Sequence, residues 1–209
     1  MASGERSTGR GEKQEMNSTW AEAWRATFWS IVQQADHSQM LKEASTTERL
    51  GAWTKELTTV SVETCHRLGW QAAAKGHRLE LLPDAHSEYL GMDVMAFADG
   101  TTRWRFPIAV IELENSRKDD RIAYSLWKVL CVRADLRLVF CYRREPDEGA
   151  ALVRWLSHEV VEALGLDQRM GLGGEIIIAV GSRGEATAFP YGFFKWWRFE
   201  SKAGIFRLM

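Results

Sequence analysis

One stretch of the chain constrains the fold more than any other, a run of apolar residues that ends in two carboxylates. Residues 107–115 are Pro-Ile-Ala-Val-Ile-Glu-Leu-Glu-Asn, and apolar, β-branched residues at this density predict a buried strand. Alternate side chains of a strand share a face, so Glu112 and Glu114 are expected to point the same way. Two like charges at the end of a buried strand are costly unless something compensates them.

A divalent cation is the natural compensator, because carboxylate oxygens are the ligands that Mg²⁺ and Mn²⁺ prefer. Asp93, in the apolar stretch 89–97, supplies a third carboxylate from a preceding strand. The sequence therefore predicts a site for one or two Mg²⁺ or Mn²⁺ ions. A tight hairpin turn between the strands would leave Asp93 and Glu112 about 20 Å apart, so the site requires a wide loop over residues 99–105.

The composition is that of a globular protein. The 209 residues are 45% hydrophobic and 26% charged, which predicts one domain over residues 18–209. Residues 1–17 are rich in Gly, Ser and charge and are expected to be disordered. No apolar run reaches about 18 residues, so no membrane span is expected. Three cysteines without a Cys-x-x-Cys pair argue against a zinc ribbon and favour reduced thiols and a cytoplasmic location.

The periodicity of apolar residues predicts an α/β protein of the α+β type, in which helices flank a mixed sheet of about five strands. Helices are predicted over residues 20–34, 47–68, 116–133 and 149–164, the first being an N-terminal appendage. Strands are predicted over residues 77–82, around Asp93, over 107–115, 136–142 and 175–180, with a Gly-rich loop at 166–174 and a final hairpin from 191–199 and 203–208. Sequential strands indicate an antiparallel meander, and strands that alternate with helices indicate parallel additions.

Any nucleic-acid contact must come from a local basic patch, because the formal net charge is −1. The sequence offers Arg103, Arg105, Arg117, Lys118, Arg121, Arg143 and Arg144 for such a patch, and the principal candidates are Arg117, Lys118, Arg121, Lys195 and Arg198. The last two belong to segment 193–199, where aromatic residues alternate with cations and could stack bases, although a core-facing edge strand has the same pattern. On the helix after the carboxylates, Lys128 shares a stripe with Arg121 and Tyr124, which is typical of either a functional or a solvated face.

These residues resemble the PD-(D/E)XK nuclease superfamily, which has the restriction-endonuclease-like fold. The resemblance rests on an Asp on one strand, Glu-x-Glu at the end of the next strand and a Lys on the following helix, and it spans roughly residues 47–180. In this chain the residues are Asp93, Glu112, Glu114 and Lys128. The resemblance implies hydrolysis of phosphodiester bonds, with DNA as the expected substrate and with Asp93 and Glu112 holding Mg²⁺.

The resemblance carries two further implications and one departure. Glu63, on the preceding helix, matches a carboxylate that some members place near the metals. Position 114 holds Glu where the family most often has Lys, so that Glu114 or Lys128 would orient or deprotonate the attacking water. The departure leaves an alternative open, a catalytically silent relative that binds nucleic acid or a protein partner. The aromatic residues also leave a homodimer open.

Overall fold

A seven-stranded mixed sheet forms the centre of the protein in the computed structural model, which describes residues 19–209. The strands lie side by side in chain order: β1 Gln71–Ala74, β2 Val94–Phe97, β3 Ala109–Leu113, β4 Leu136–Arg143, β5 Glu175–Ser182, β6 Phe194–Glu200 and β7 Ile205–Leu208. β3, β4 and β5 are parallel neighbours, and the other pairs are antiparallel. The predicted α/β class is confirmed, but the sheet has seven strands rather than about five. The disorder predicted for residues 1–17 lies outside the described residues.

Helices cover both faces of this sheet. They are α1 Trp20–Val32, α2 Ala35–Thr46, α3 Leu50–Arg67, α4 Asp119–Leu130, α5 Glu148–Leu156, which continues into a π-helical turn, and α6 Leu166–Gly171. The first three pack on one face, whereas α4 and α5 pack on the other. Because β3, β4 and β5 advance in one direction, right-handed crossovers place both connecting helices on the same face. Within residues 19–209, no helix is both long and apolar enough to cross a membrane.

Aromatic rings fill the core beneath the N-terminal helices. The ring of Phe28 on α1 lies 5.4 Å from that of Phe140 on β4, and 5.6 and 5.4 Å from those of Phe194 and Trp196 on β6. Thr19 begins α1 with a capping box that it shares with Glu22. The aromatic residues of the final hairpin therefore belong to the core, which is the alternative that the sequence left open for segment 193–199.

The first predicted strand is wrong. The chain pairs through β1, whose Gln-Ala-Ala-Ala sequence contains no β-branched or aromatic residue and therefore gives no strand signal. Gly76 then turns the chain with a φ of 83°. Residues 77–82, which were predicted as the strand, make only the isolated bridges of His77 with Ala74 and of Leu79 with His86.

Two helices were also missed. α2 buries only Leu41 and Ala44, so it carries almost no apolar periodicity, and the N-terminal appendage consists of two helices rather than one. α6 begins inside the segment that was predicted as a loop, residues 166–174. The glycines of this segment predicted a loop, and the short helix buries no residue that would give an apolar periodicity. The helix ends before Gly173 and Gly174, both of which have positive φ.

Truncation of the central aromatic residue should test this core. The side chain of Phe28 is fully buried, so Phe28→Ala should lower the free energy of unfolding by about 3–5 kcal/mol through lost burial and a residual cavity. Urea denaturation monitored by circular dichroism measures the change. The control Met40→Ala, at a side chain 54% exposed on α2, should change stability by less than about 0.5 kcal/mol. Equal effects of the two changes would contradict the packing described here.

Candidate active site and adjacent arginine cleft

The strand register brings Asp93 and Glu112 together. β2 and β3 are antiparallel with Val94 opposite Ile111, so the next pair outwards is Asp93 and Glu112. The strands are joined by a long loop, residues 98–108, and the predicted wide connection is therefore confirmed. The Oδ2 atom of Asp93 accepts a hydrogen bond of 2.7 Å from the backbone N–H of Leu113, which fixes the carboxylate against the end of β3.

Both carboxylates lie on the face of the sheet that α4 covers. Met95 and Val110, two residues away on each strand, belong to the core on that face, and strand alternation gives Asp93 and Glu112 the same side. Glu112 is only 4% exposed. Burial disfavours its charged form and raises the pKa of Glu112 to about 7, even though Lys128 favours the ionised form. Burial likewise raises the pKa of Asp93.

Lys128 reaches this pair from α4. Its Nζ atom lies 2.8 Å from the Oε1 atom of Glu112 and donates a hydrogen bond of 2.8 Å to the carbonyl oxygen of Gly91. The side chain thus bridges β3 and the turn that precedes β2. The sequence could not separate this position from a solvated helix face, and the structure places it beside the carboxylates. α4 begins at Asp119, three residues after the start of the helix that was predicted over residues 116–133.

The carboxylate of Glu114 is held by the chain that follows β3. The Oε1 atom of Glu114 accepts a hydrogen bond of 2.6 Å from the backbone N–H of Ser116, because the chain turns after β3 towards α4. Its other carboxylate oxygen accepts no hydrogen bond within residues 19–209. In that part of the chain no three His, Cys, Asp or Glu side chains assemble into a metal-binding group, so the predicted cluster of three carboxylates is reduced to two neighbours.

Glu63 is not brought to this site. It lies on α3, which packs on the opposite face of the sheet. Its Oε2 atom lies 3.2 Å from Nε2 of His37, within ion-pair distance. Glu56 contacts the other ring nitrogen of His37 at 2.6 Å. Burial opposes protonation of His37, but these two carboxylates outweigh it and raise the pKa of the imidazole. Glu63 was therefore predicted on the correct helix, but the rotation of α3 directs it to α2.

The two carboxylates nevertheless fit a Mg²⁺ ion. Mg²⁺ is commonly held by one or two protein carboxylates, with water and substrate phosphate supplying the other oxygens. The Oε1 atom of Glu112 is buried and, apart from its ion pair with Lys128, has no hydrogen-bond partner in the described chain. Lys128 supplies one positive charge against two carboxylates, so Asp93 and Glu112, when both are ionised, keep a net negative charge that a small, hard cation would neutralise.

A cleft with a volume of about 730 Å³ opens at the carboxyl ends of β3, β4 and β5. Ligands of open α/β sheets bind in this position. Asn115, three residues after Glu112, lines the cleft, but the carboxylate pair itself does not. Four arginines contribute to its wall, namely Arg117, Arg143, Arg144 and Arg183. Of these, Arg117, Arg143 and Arg144 belong to the basic patch that the sequence predicted, whereas Arg183 does not.

The other predicted nucleic-acid contacts have separate positions. Lys118 and Arg121 are exposed at the start of α4. Lys195 donates a hydrogen bond of 3.2 Å to the carbonyl oxygen of Pro146, and Arg198 pairs with Glu22 and Glu175 at 3.6 and 3.7 Å. Because Lys195 and Arg198 are three positions apart on β6, their side chains lie on opposite faces of the sheet. The structure does not bring them to the cleft.

Several residues of the site carry no recognisable sequence signal. Gly91 contributes a backbone carbonyl, which no pattern of side chains can reveal. Arg183 directly follows the end of β5 and lies about 70 positions after Glu112 in the chain. The exposed rings of Tyr124 and Trp127 stack on α4 with centroids 5.7 Å apart, and Tyr124 lies one helical turn before Lys128. No family model, curated protein or solved structure matches the chain.

Replacement of Glu112 by Gln should change how stability depends on pH. The raised pKa means that folded Glu112 keeps its proton between pH 4.5 and about 7, where the unfolded chain loses it, so the wild-type protein loses stability as the pH rises through this window. Glu112→Gln lacks this titration. The difference in free energy of unfolding, variant minus wild type, should therefore increase by about 1–3 kcal/mol from low to neutral pH.

Urea denaturation in EDTA on both sides of this window measures that difference. Glu80→Gln, at an exposed carboxylate outside the site, is the matched control, and the pH dependence of the difference for Glu112→Gln should exceed that of the control. A difference for Glu112→Gln that varies no more with pH than that of the control would show that Glu112 ionises normally in the folded protein.

Proposed function

We propose that this protein is a Mg²⁺-dependent nuclease that hydrolyses phosphodiester bonds, with DNA as its expected substrate. The observation that carries the proposal is the convergence of Asp93, Glu112 and Lys128 from two adjacent strands and the following helix. The PD-(D/E)XK motif is specific only in this strand–strand–helix context. The order of α3, three antiparallel strands, α4 and a parallel strand supports a restriction-endonuclease-like core within the seven-stranded sheet.

Each residue has a distinct role in this proposal. Asp93 and Glu112 hold the ion, which when bound supplies charge neutralisation at the phosphate and a more acidic water. Lys128 is fixed by the carbonyl of Gly91 and places a positive charge beside the carboxylates, where negative charge develops on the phosphate. The free oxygen of Glu114 is the acceptor available to orient the attacking water.

A second candidate function is binding of nucleic acid without cleavage. The ion pair with Lys128 already compensates Glu112. No third carboxylate joins Asp93 and Glu112 in a metal-binding group within the described chain, so these residues can persist as a structural element. The arginine cleft provides a surface for phosphates that needs no metal. Binding that is equal in Mg²⁺ and EDTA, without any cleavage, favours this candidate over the nuclease.

Loss of the Lys128 charge should slow cleavage while metal binding persists. Plasmid, single-stranded DNA and RNA are incubated with the protein in Mg²⁺, Mn²⁺ or EDTA, and products are resolved on gels. We expect cleavage of DNA in Mg²⁺ or Mn²⁺ only, and a rate for Lys128→Ala that is lower by roughly 10²-fold or more. Lys128→Arg should restore part of the rate, because the planar guanidinium differs in geometry from the ammonium.

Lys42→Ala is the matched control, since it removes an exposed lysine from α2, outside the site. It should cleave at the wild-type rate. If Lys128→Ala also does so, Lys128 has only a structural part and Glu114 must organise the water. Absence of cleavage of every substrate in either metal would overturn the nuclease proposal.

Mg²⁺ or Mn²⁺ should raise the melting temperature of the wild-type protein, because an ion that binds only the folded state stabilises it by mass action. The variant Asp93→Asn/Glu112→Gln should gain little from metal, because it lacks both carboxylates that would hold the ion. Differential scanning fluorimetry measures both shifts without reference to activity.

The double variant Glu56→Gln/Glu63→Gln removes an equal number of carboxylates from the opposite face and is the control. It should keep the full response to metal. An equal response in the Asp93→Asn/Glu112→Gln variant would place the bound ion elsewhere in the protein.

A further inference from the structure

We infer that the arginine cleft binds a phosphate group of the nucleic-acid strand through Arg117 and Arg183. The inference rests on the proposed function, since it adds the part of the substrate that this surface holds. The cleft is large enough for a nucleotide, at about 730 Å³, and lies where the three parallel strands end.

These two arginines differ from the others in the cleft. Arg143 pairs with Asp119, and Arg144 lies 3.5 Å from the carboxylate of Glu145. In residues 19–209, neither Arg117 nor Arg183 has a carboxylate within ion-pair distance. Two cations of the cleft wall are therefore left to interact with an anion.

The guanidinium of Arg183 is held in a defined position. It lies 5.1 Å from the centre of the Tyr142 ring and donates a hydrogen bond of 3.4 Å to the carbonyl oxygen of Asn115. The Tyr142 hydroxyl in turn accepts a hydrogen bond of 2.8 Å from the indole N–H of Trp53. A planar donor that is fixed before binding loses little conformational entropy when it engages a phosphate.

The charges around Arg183 also favour an anion. Its half-buried side chain has a lowered pKa, first because of burial and then because of the nearby Arg117, while Tyr142 and Glu48 oppose the shift. Glu48 lines the cleft beyond ion-pair distance and compensates this repulsion only in part. A phosphate between the two guanidinium groups would remove the repulsion and accept forked hydrogen bonds from both.

The cleft and the carboxylate pair lie within reach of one strand. Asn115 follows Glu112 by three residues, so their Cα atoms are separated by at most about 11 Å. A phosphate in the cleft and the phosphate at the carboxylate pair would thus belong to the same short segment of the substrate. The cleft would set the position of the strand relative to the bond that is cut.

Binding of a fluorescein-labelled single-stranded deoxyoligonucleotide, followed by fluorescence anisotropy in EDTA, tests the cleft without cleavage. Arg117→Ala and Arg183→Ala should each weaken binding at least several-fold, and each should reduce the slope of log K against log salt concentration by about 0.7, the value for one phosphate contact. Arg183→Lys should restore the slope more fully than the affinity, because it keeps the charge but loses the fork.

Arg67→Ala removes an exposed arginine at the end of α3, outside the cleft, and is the matched control that should leave both quantities unchanged. Arg117 is itself exposed, so its replacement tests the cleft even if Arg183→Ala fails to fold. A 5′-phosphorylated oligonucleotide is compared with its 5′-hydroxyl form: tighter binding of the former that needs Arg117 assigns the cleft to a terminal phosphate, and equal, Arg117-dependent binding assigns it to an internal one.

Wild-type affinity and salt slope in Arg117→Ala would overturn the inference. Arginine-dependent binding by a protein that cuts no substrate would support the cleft while removing the nuclease proposal. Cleavage that is unaffected by Arg117→Ala, with unchanged binding, would keep the nuclease and remove the cleft.

Discussion

The arrangement of the site depends on the burial of Glu112 near the end of β3. A carboxylate that is 4% exposed requires either a proton or a cation, and Lys128 supplies a cation 2.8 Å away. Because Lys128 also binds the carbonyl of Gly91, a single ammonium connects α4, β3 and the turn before β2. Removal of one partner from such a buried pair leaves an uncompensated charge, so the position of α4 on the sheet is tied to the chemistry of the site.

Acidic and basic side chains occupy adjacent parts of one end of the sheet, where β3, β4 and β5 terminate. Acidic side chains gather where β2 and β3 meet, and arginines gather where β3, β4 and β5 end. The parallel arrangement of these three strands produces this division, since it directs their carboxyl ends to one cleft. Under the proposed function, a strand of nucleic acid would offer phosphates to both parts, one to the arginines and one to the ion that Asp93 and Glu112 would hold.

Prediction from the sequence succeeded where local pattern and burial agree. The strand that carries Glu112 and the strand at 136–142 have dense β-branched or aromatic residues, and both were found. The strand Gln71–Ala74 was missed, because alanines adopt strand conformation only where neighbouring strands supply the pairing. Glu63 was placed on the right helix, but the facing of that helix depends on the packing of α2 and on His37.

The sequence by itself determined that the chain forms a mixed α/β sheet and that an Asp, a Glu-x-Glu pair and a helical Lys follow one another in it. These properties are local, since periodicity and spacing express which side of each element is apolar. Only the tertiary structure decided that Lys128 reaches Glu112, that Glu114 accepts a hydrogen bond from Ser116, and that Arg183 joins Arg117 in one cleft. Strand register and helix rotation set these contacts, and both follow from packing between residues that are distant in the chain.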